Sequence, residues 1–326
     1  MRIAPAAVAL LALALITGCS GGGEKTEPEK KDSGAGAPAE GGEQAAVDGP
    51  LAPDSLAGDL TFPMDRYRIS DEDQRLLEEA RNVLVKECMA RYGFDHEPSE
   101  PRAEALIGPY VYLYGVDDPT LAAEHGYLHP TDLDPNAYVP VPEADLTADE
   151  ELALYGDQEL DGTEIPQTLE AAEAMKGPEL NGERVPITGC AGDATLRINR
   201  PGEDWVDPTL IFNLENEAGM EADEDERIVE IIGDWAQCMA GHGYETNSPF
   251  GVQEDLGLSG DVSGPKAIEV AVKDVECKQE VDLIARWSAV DAEYQEEVIE
   301  EHAGILEDYT RQHEERMANA RSVLSR

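Results

Sequence analysis

Five cysteines, Cys19, Cys88, Cys190, Cys238 and Cys277, are the residues of this chain best suited to chemistry. A thiol can attack, bind a soft metal, take an acyl group or form a bridge. No two are spaced Cys-x-x-Cys, which argues against a thioredoxin-like redox site. Four widely spaced thiolates are a poor zinc pattern, and if Cys19 is set aside as an acyl acceptor, a lone catalytic thiol among the other four would leave an odd count. In an exported chain the later four read as two disulfides. Four cysteines allow three pairings. The favoured one is Cys88–Cys190 with Cys238–Cys277, because each bridge joins a Cys-Met-Ala helix end to a later cysteine and closes its own half of the chain. The second loop, of about 40 residues, would contribute about 4 kcal/mol in the loop-entropy account.

Cys88 and Cys238 also sit in a partial echo. One reads CMARYGFDHEP and the other CMAGHGYETNSP. Each is preceded by an acidic start, DEDQR from Asp71 and DEDER from Asp223. The spacing from start to cysteine differs by two residues, a rotation of about 200° on a helix. Gly93 and Gly243 are expected to stop the two helices by a left-handed turn, and duplication and independent use of that one helix-ending device both remain open.

Other candidate chemistry is weaker. Asp132, Asp134, Asn136 and Glu143 imitate a calcium loop, but Ala137 stands where the sharp turn needs glycine. Asp157, Glu159, Asp161 and Gly162 begin a second imitation whose twelfth position is Thr168. His125 and His129 are separated by Gly126, so they do not share one helix face as metal ligands would. Trp205, Trp235 and Trp287 could line a groove, though tryptophans on apolar helix stripes are usually core. No Ser-His-Asp set or Gly-rich phosphate loop can be assembled. The chain is read as not an enzyme, with no cofactor, catalytic residue or metal site.

Residues 1–18 place Arg2 ahead of an apolar stretch of roughly ten residues, too short to span a bilayer. That is the layout of a secretory signal peptide. Ile16-Thr17-Gly18-Cys19 then resembles the lipobox of bacterial lipoproteins. The resemblance implies cleavage before Cys19 and acylation of its sulfur, palmitate included. Acyl chains bury many methylenes at about 0.8 kcal/mol each, so the anchor would be stable. The expected location is the extracytoplasmic face of the cell membrane, with membrane lipid as a partner through Cys19.

Residues 19–60 are rich in Gly, Ala, Pro, Glu and Lys and read as a disordered tether. Its first 37 residues or so would reach roughly 30 to 37 Å as a coil. Residues 61–326 read as one helical domain with possible halves 61–204 and 205–326. Helices are expected at 71–91, capped by Ser70, and at 119–125, capped by Asp118 with Pro119 in its first turn. More follow from Thr147 to Tyr155, near 167–175, at 207–219 and at 224–241. A short strand is expected near Val185. From Pro265 onward the pattern is helical, with a break near 279–282. A helix over 282–323 would be about 60 Å long and must lie across the domain, pair with another helix in coiled-coil fashion, or project. Its apolar positions thin out after Tyr309, so the last turns are expected to be solvated. The fold class is mainly α, stapled by disulfides, with a long C-terminal helix, long loops and little β.

Lys and Arg number 24 against 70 Asp and Glu, a net charge of −46. Phosphate backbones repel such a surface, which argues against nucleic acid as a partner. The segments YGVDDPTLAAEHGY, VPITGCAGDA and WAQCMAGHGY, with the C-terminal run from DVECKQEVDLIARW, are similar to uncharacterised actinobacterial secreted lipoproteins. Such proteins often neighbour ABC efflux transporter components and a peptidoglycan-binding adaptor. The resemblance implies a non-enzymatic accessory or interaction lipoprotein serving a membrane transporter or the cell envelope. A ligand-binding or sensor lipoprotein is the alternative.

Overall fold

The computed structural model describes residues 51–98, 107–134 and 145–326, apart from 163 and 203. The signal peptide, Cys19, the tether up to residue 50, and Asn136 and Glu143 lie outside the described residues. Helices carry nearly all the regular structure. They are α1 (Asp71–Arg91), α2 (Pro119–His125), α3 (Ala148–Tyr155), α4 (Leu169–Ala174), α5 (Gly189–Asn199) and α6 (Leu210–Asp223). Then come α7 (Glu226–Gly241), α8 (Val252–Asp255), α9 (Pro265–Glu280), α10 (Leu283–Glu301) and α11 (Ala303–Leu324). The single described sheet is a two-stranded antiparallel pair, β1 (Glu179–Leu180) with β2 (Glu183–Arg184), just before Val185.

Polar side chains at the helix starts explain several boundaries. Ser70 accepts from the Asp73 amide and opens α1. Asp118 accepts from the Thr120 and Leu121 amides and opens α2, with Pro119 in the position whose missing N–H costs nothing. Thr147 and Glu150 form a reciprocal capping box at α3. The helix expected from residue 224 starts at Glu226, because Asp225 caps it by accepting from the Arg227 amide. The acidic run from Asp223 is therefore the joint between α6 and α7.

Three larger cores, with a small fourth around Ala172, Ile187 and Leu196, hold the described helices together. The largest gathers α2, α7, α9 and α10 around Trp235, Met239, Val270, Leu283 and Trp287. A second packs α1, α3 and α5 against the end of α11, around Val85, Met89, Leu154 and Ile198. A third sets α6 against α10 and the start of α11, around Met64, Leu214, Val298 and Leu306.

The helix expected over 282–323 is two helices, α10 and α11, meeting at His302. The earlier break is where it was expected, and Asp282 takes a left-handed backbone there with φ of 54°. The end of α11 is not solvated. Met317, Ala320 and Val323 are buried, with Ala320 and Val323 packed in the core that holds α1. Polar residues hid this face: Gln312 and Arg316 are buried too. Gln312 accepts from the Val206 amide and donates to the Asp204 carbonyl, while the Arg316 guanidinium lies 5.8 Å from the Trp205 ring centre.

Residues 51–60, read as the end of the tether, are instead fixed on the folded body. Ala57 is fully buried, and Leu56 and Leu60 pack on the largest core. Helix α5 was also absent from the sequence reading. Gly189 and Gly192 lower its helix propensity, and its burial against α1, α3 and α11 supplies the stability instead.

Candidate functional site

The two Cys-Met-Ala segments fold alike. Cys88 lies on the last full turn of α1 and Cys238 on that of α7. After each, a glycine adopts a left-handed backbone, Gly93 at φ 88° and Gly243 at φ 89°. The amides of Phe94 and Tyr244 return to the carbonyls of Met89 and Met239. Both methionines are fully buried. This is the glycine-ended helix stop in which the chain reverses over its own final turn.

The sulfurs meet in the two pairs favoured by the sequence. Cys88 and Cys190 are bonded with Cα atoms 5.6 Å apart, and Cys238 and Cys277 with Cα atoms 5.7 Å apart. Both separations fit ordinary disulfide geometry. The partner helices run differently: Cys190 is in the first turn of α5, whereas Cys277 is in the last turn of α9. The echo is therefore a shared helix stop and not a repeated helix pair.

The bridges differ in surroundings. Cys88 and Cys190 are both buried. Three residues after Cys190, Asp193 is engaged by the Arg197 guanidinium at 2.7 Å. Cys277 is buried but Cys238 is partly open to solvent. The Glu280 carboxylate lies 3.7 Å from the Cys238 sulfur. A His242 ring nitrogen and both sulfurs lie within 4.8 Å of one another, the one such convergence of possible metal ligands among the described residues.

A second constellation belongs to the core. Asp274 and Lys278 face each other on α9 at 3.2 Å, both side chains without solvent contact. Asp274 also accepts from Trp235 Nε1 at 2.9 Å and from the Tyr127 hydroxyl at 3.2 Å, while Lys278 donates to the Val116 carbonyl at 2.7 Å. Burial pushes the Asp274 carboxyl up, with Lys278, Trp235 and Tyr127 pulling it down. Next in the chain, Asp117 accepts from the Ser55 hydroxyl and the Ala57 amide, and Asp118 accepts from the Asp54 amide. The pair Asp117-Asp118 thus fastens residues 54–57 to the body. Gly115 lets Lys278 in, since a Cβ there would sit 3.1 Å from its ammonium and 2.8 Å from the Pro249 carbonyl.

A third acidic site lies between α6 and α10. Burial raises the Asp291 carboxyl to about 6, and the charge of Asp223 adds to the rise. The Tyr114 hydroxyl donates to Asp291.

The weaker sequence candidates resolve into local structure. His129 accepts from the Thr131 amide at the start of a short turn that contains Asp132. His125 ends α2 and pairs with Glu124 at 3.7 Å, so the two histidines do not converge. Asp157 accepts from the Glu159 amide, and Thr168 caps α4. Trp235 and Trp287 are core, and Trp205 is partly buried against Arg316.

No protein-family model matches the chain, and neither a curated protein nor a solved structure matches it. The geometry is therefore the ground for any assignment. Among the described residues no helix is long and apolar enough to cross a membrane. A depression lined by Tyr67, Leu306, Thr310 and Arg311 is shallow and open, and it brings together no nucleophile and base.

Proposed function

We propose that this chain is a lipoprotein of the extracytoplasmic membrane face, anchored through acylated Cys19. There it acts as a non-enzymatic accessory or interaction subunit of a membrane transporter or of the cell envelope. The observation that carries the anchoring is the cysteine account. Cys88, Cys190, Cys238 and Cys277 are consumed in two bridges, so lipid on Cys19 competes with neither. Two bridges also suit an oxidising compartment. The lipobox-like Ile16-Thr17-Gly18-Cys19 supplies the acceptor.

Two features favour an interaction role over catalysis. Two of the most deeply buried titratable groups, Asp274 and Lys278, satisfy each other inside the core, and the equally buried Asp117 and Asp118 are spent on residues 54–57. The surface carries large apolar side chains, Phe212, Met220, Val229 and Phe250 among them. The resemblance to secreted actinobacterial lipoproteins adds the transporter and its peptidoglycan-binding adaptor as the partner class.

Two measurements test the reading. In a lipoprotein-processing host, a palmitate analogue should label the wild type and leave Cys19→Ala unlabelled and released from membranes. Equal labelling of the two, or an unprocessed wild type in the cytosol, overturns the anchor. Crosslinking in intact membranes, followed by capture, should recover a transporter or envelope subunit. Capture of a tightly held small molecule with no protein partner supports the ligand-binding alternative instead.

A further inference from the structure

We infer that the Cys238–Cys277 bridge is the closed form of a metal site for a thiophilic divalent ion, opened by a dithiol reductant. Four ligand-type side chains come from two neighbouring helices. Cys238 and His242 are four apart at the end of α7, and Cys277 and Glu280 are three apart at the end of α9. Each pair therefore projects from one face of its own helix.

The distances fit an opened site. The two sulfurs and a His242 ring nitrogen are mutually within 4.8 Å; Glu280 Oε2 is 3.7 Å from the Cys238 sulfur but outside that mutual group, so its exposed side chain must turn toward the other three to become the fourth ligand. Tetrahedral zinc with bonds of about 2.3 Å to sulfur and about 2.0 Å to nitrogen needs ligand atoms about 3.5 to 3.8 Å apart. Breaking the bridge lets the sulfurs separate to that spacing by side-chain rotation. Two thiolates, one imidazole and one carboxylate form a donor set that zinc-like ions accept.

The other bridge lacks the same equipment. In the shared helix stop the position of His242 is held by Tyr92, a buried residue whose hydroxyl donates to the Arg184 carbonyl. The position matching Glu280, three after the second cysteine, is Asp193, already held by Arg197. His242 and Glu280 are both exposed. The feature that sets the second bridge apart is thus the pair of extra ligands at its mouth.

The chemistry balances as follows. A reductant thiolate attacks the partly exposed Cys238 sulfur, forming a mixed disulfide and releasing Cys277 as thiolate. The second reductant thiol displaces Cys238, so the dithiol becomes a disulfide and the bridge gains two electrons and two protons. The divalent ion then displaces those two protons from the thiols, and a His242 ring nitrogen and a Glu280 carboxylate oxygen fill its other two positions.

The test uses the full chain, reduced by a phosphine that carries no thiol and then titrated anaerobically with Co²⁺ as probe. Peptide mapping first establishes that Cys238 and Cys277 are free thiols. One equivalent should give sulfur-to-cobalt charge-transfer bands and the visible bands of a tetrahedral ion. His242→Ala should weaken binding about tenfold or more, and Cys238→Ser/Cys277→Ser should abolish the bands. In parallel, one equivalent of Zn²⁺ should raise the Tm of the reduced wild type and not of reduced His242→Ala, a readout that holds even if reduction loosens α7 and α9. Absence of the bands and of the Tm shift in the reduced wild type overturns the inference. So does a His242→Ala variant that titrates like the wild type.

Discussion

Asp274 and Lys278 are four residues apart on α9, the spacing of an ordinary surface ion pair. Nothing in the sequence separates the two cases. Only the packing of α2 and α7 over that face, with Trp235 and Tyr127 turned inward to donate, makes the pair a buried one. Asp117 and Asp118 were hidden in the same way: the helix cap was legible, while the capture of residues 54–57 was not. Removing one member of a buried pair strands the other, at a cost of about 3–5 kcal/mol. The two members should differ. Lys278→Met leaves an Asp274 that can take a proton, since burial already raises its carboxyl. Asp274→Asn leaves an ammonium with little beyond the Val116 carbonyl. Denaturant unfolding at neutral pH should therefore find Asp274→Asn the more damaging. The cost of Lys278→Met should shrink on acidification, because a carboxyl with a raised folded pKa stabilises below its unfolded value and loses that contribution as pH rises. Equal costs at every pH would refute this account of the pair.

At the scale of elements, side-chain caps and glycine stops were the legible part. Ser70, Asp118 and Thr147 start helices where the sequence places them, and Gly93 and Gly243 stop them. These signals are local, needing only a few neighbouring residues. Helix α5 and the end of α11 were illegible because their stability is tertiary. Gly189 and Gly192 weaken α5 locally, and Gln312 and Arg316 make the α11 stripe look polar. The structure gives the end of α11 a definite task, covering α1 and α5. A chain ending at His313 loses Met317, Ala320 and Val323, three buried apolar side chains, together with the buried Arg316. Their loss should destabilise the domain by several kcal/mol, at about 1.5–3 kcal/mol for a fully buried large apolar side chain. Hydrogen exchange should then show α1 and α5 losing protection first, with α7 and α9 affected less. Unchanged protection of α1 would mean that the last turns are solvated after all.

Across the whole molecule, acidity and burial act in the same direction. A net charge of −46 repels itself within the compact state, and protonation relieves that strain. Several inward-facing carboxyls add to this. Burial raises Asp117, Asp274 and Asp291, the last to about 6. A raised carboxyl contributes its stability fully below the unfolded value near 4 and loses it as pH climbs through the folded value. Opposing them are Asp225, held down to about 2 by hydrogen bonds from Arg227, and Glu150 and Asp207, held low by hydrogen bonds from Thr147 and Thr209. Those contributions hold above about 4 and fade only at lower pH. The two sets leave an optimum on the acid side of neutral. Melting at pH 5 should exceed melting at pH 7.5. Asp291 alone would account for about 1–2 kcal/mol once partial solvent contact is discounted, or roughly 2–8 °C. Asp291→Asn keeps an acceptor for the Tyr114 hydroxyl without the charge, so it should raise the Tm at pH 7.5 and change little at pH 4. A melting temperature that falls steadily from pH 7.5 to 5 would instead place the dominant carboxylates among the exposed caps.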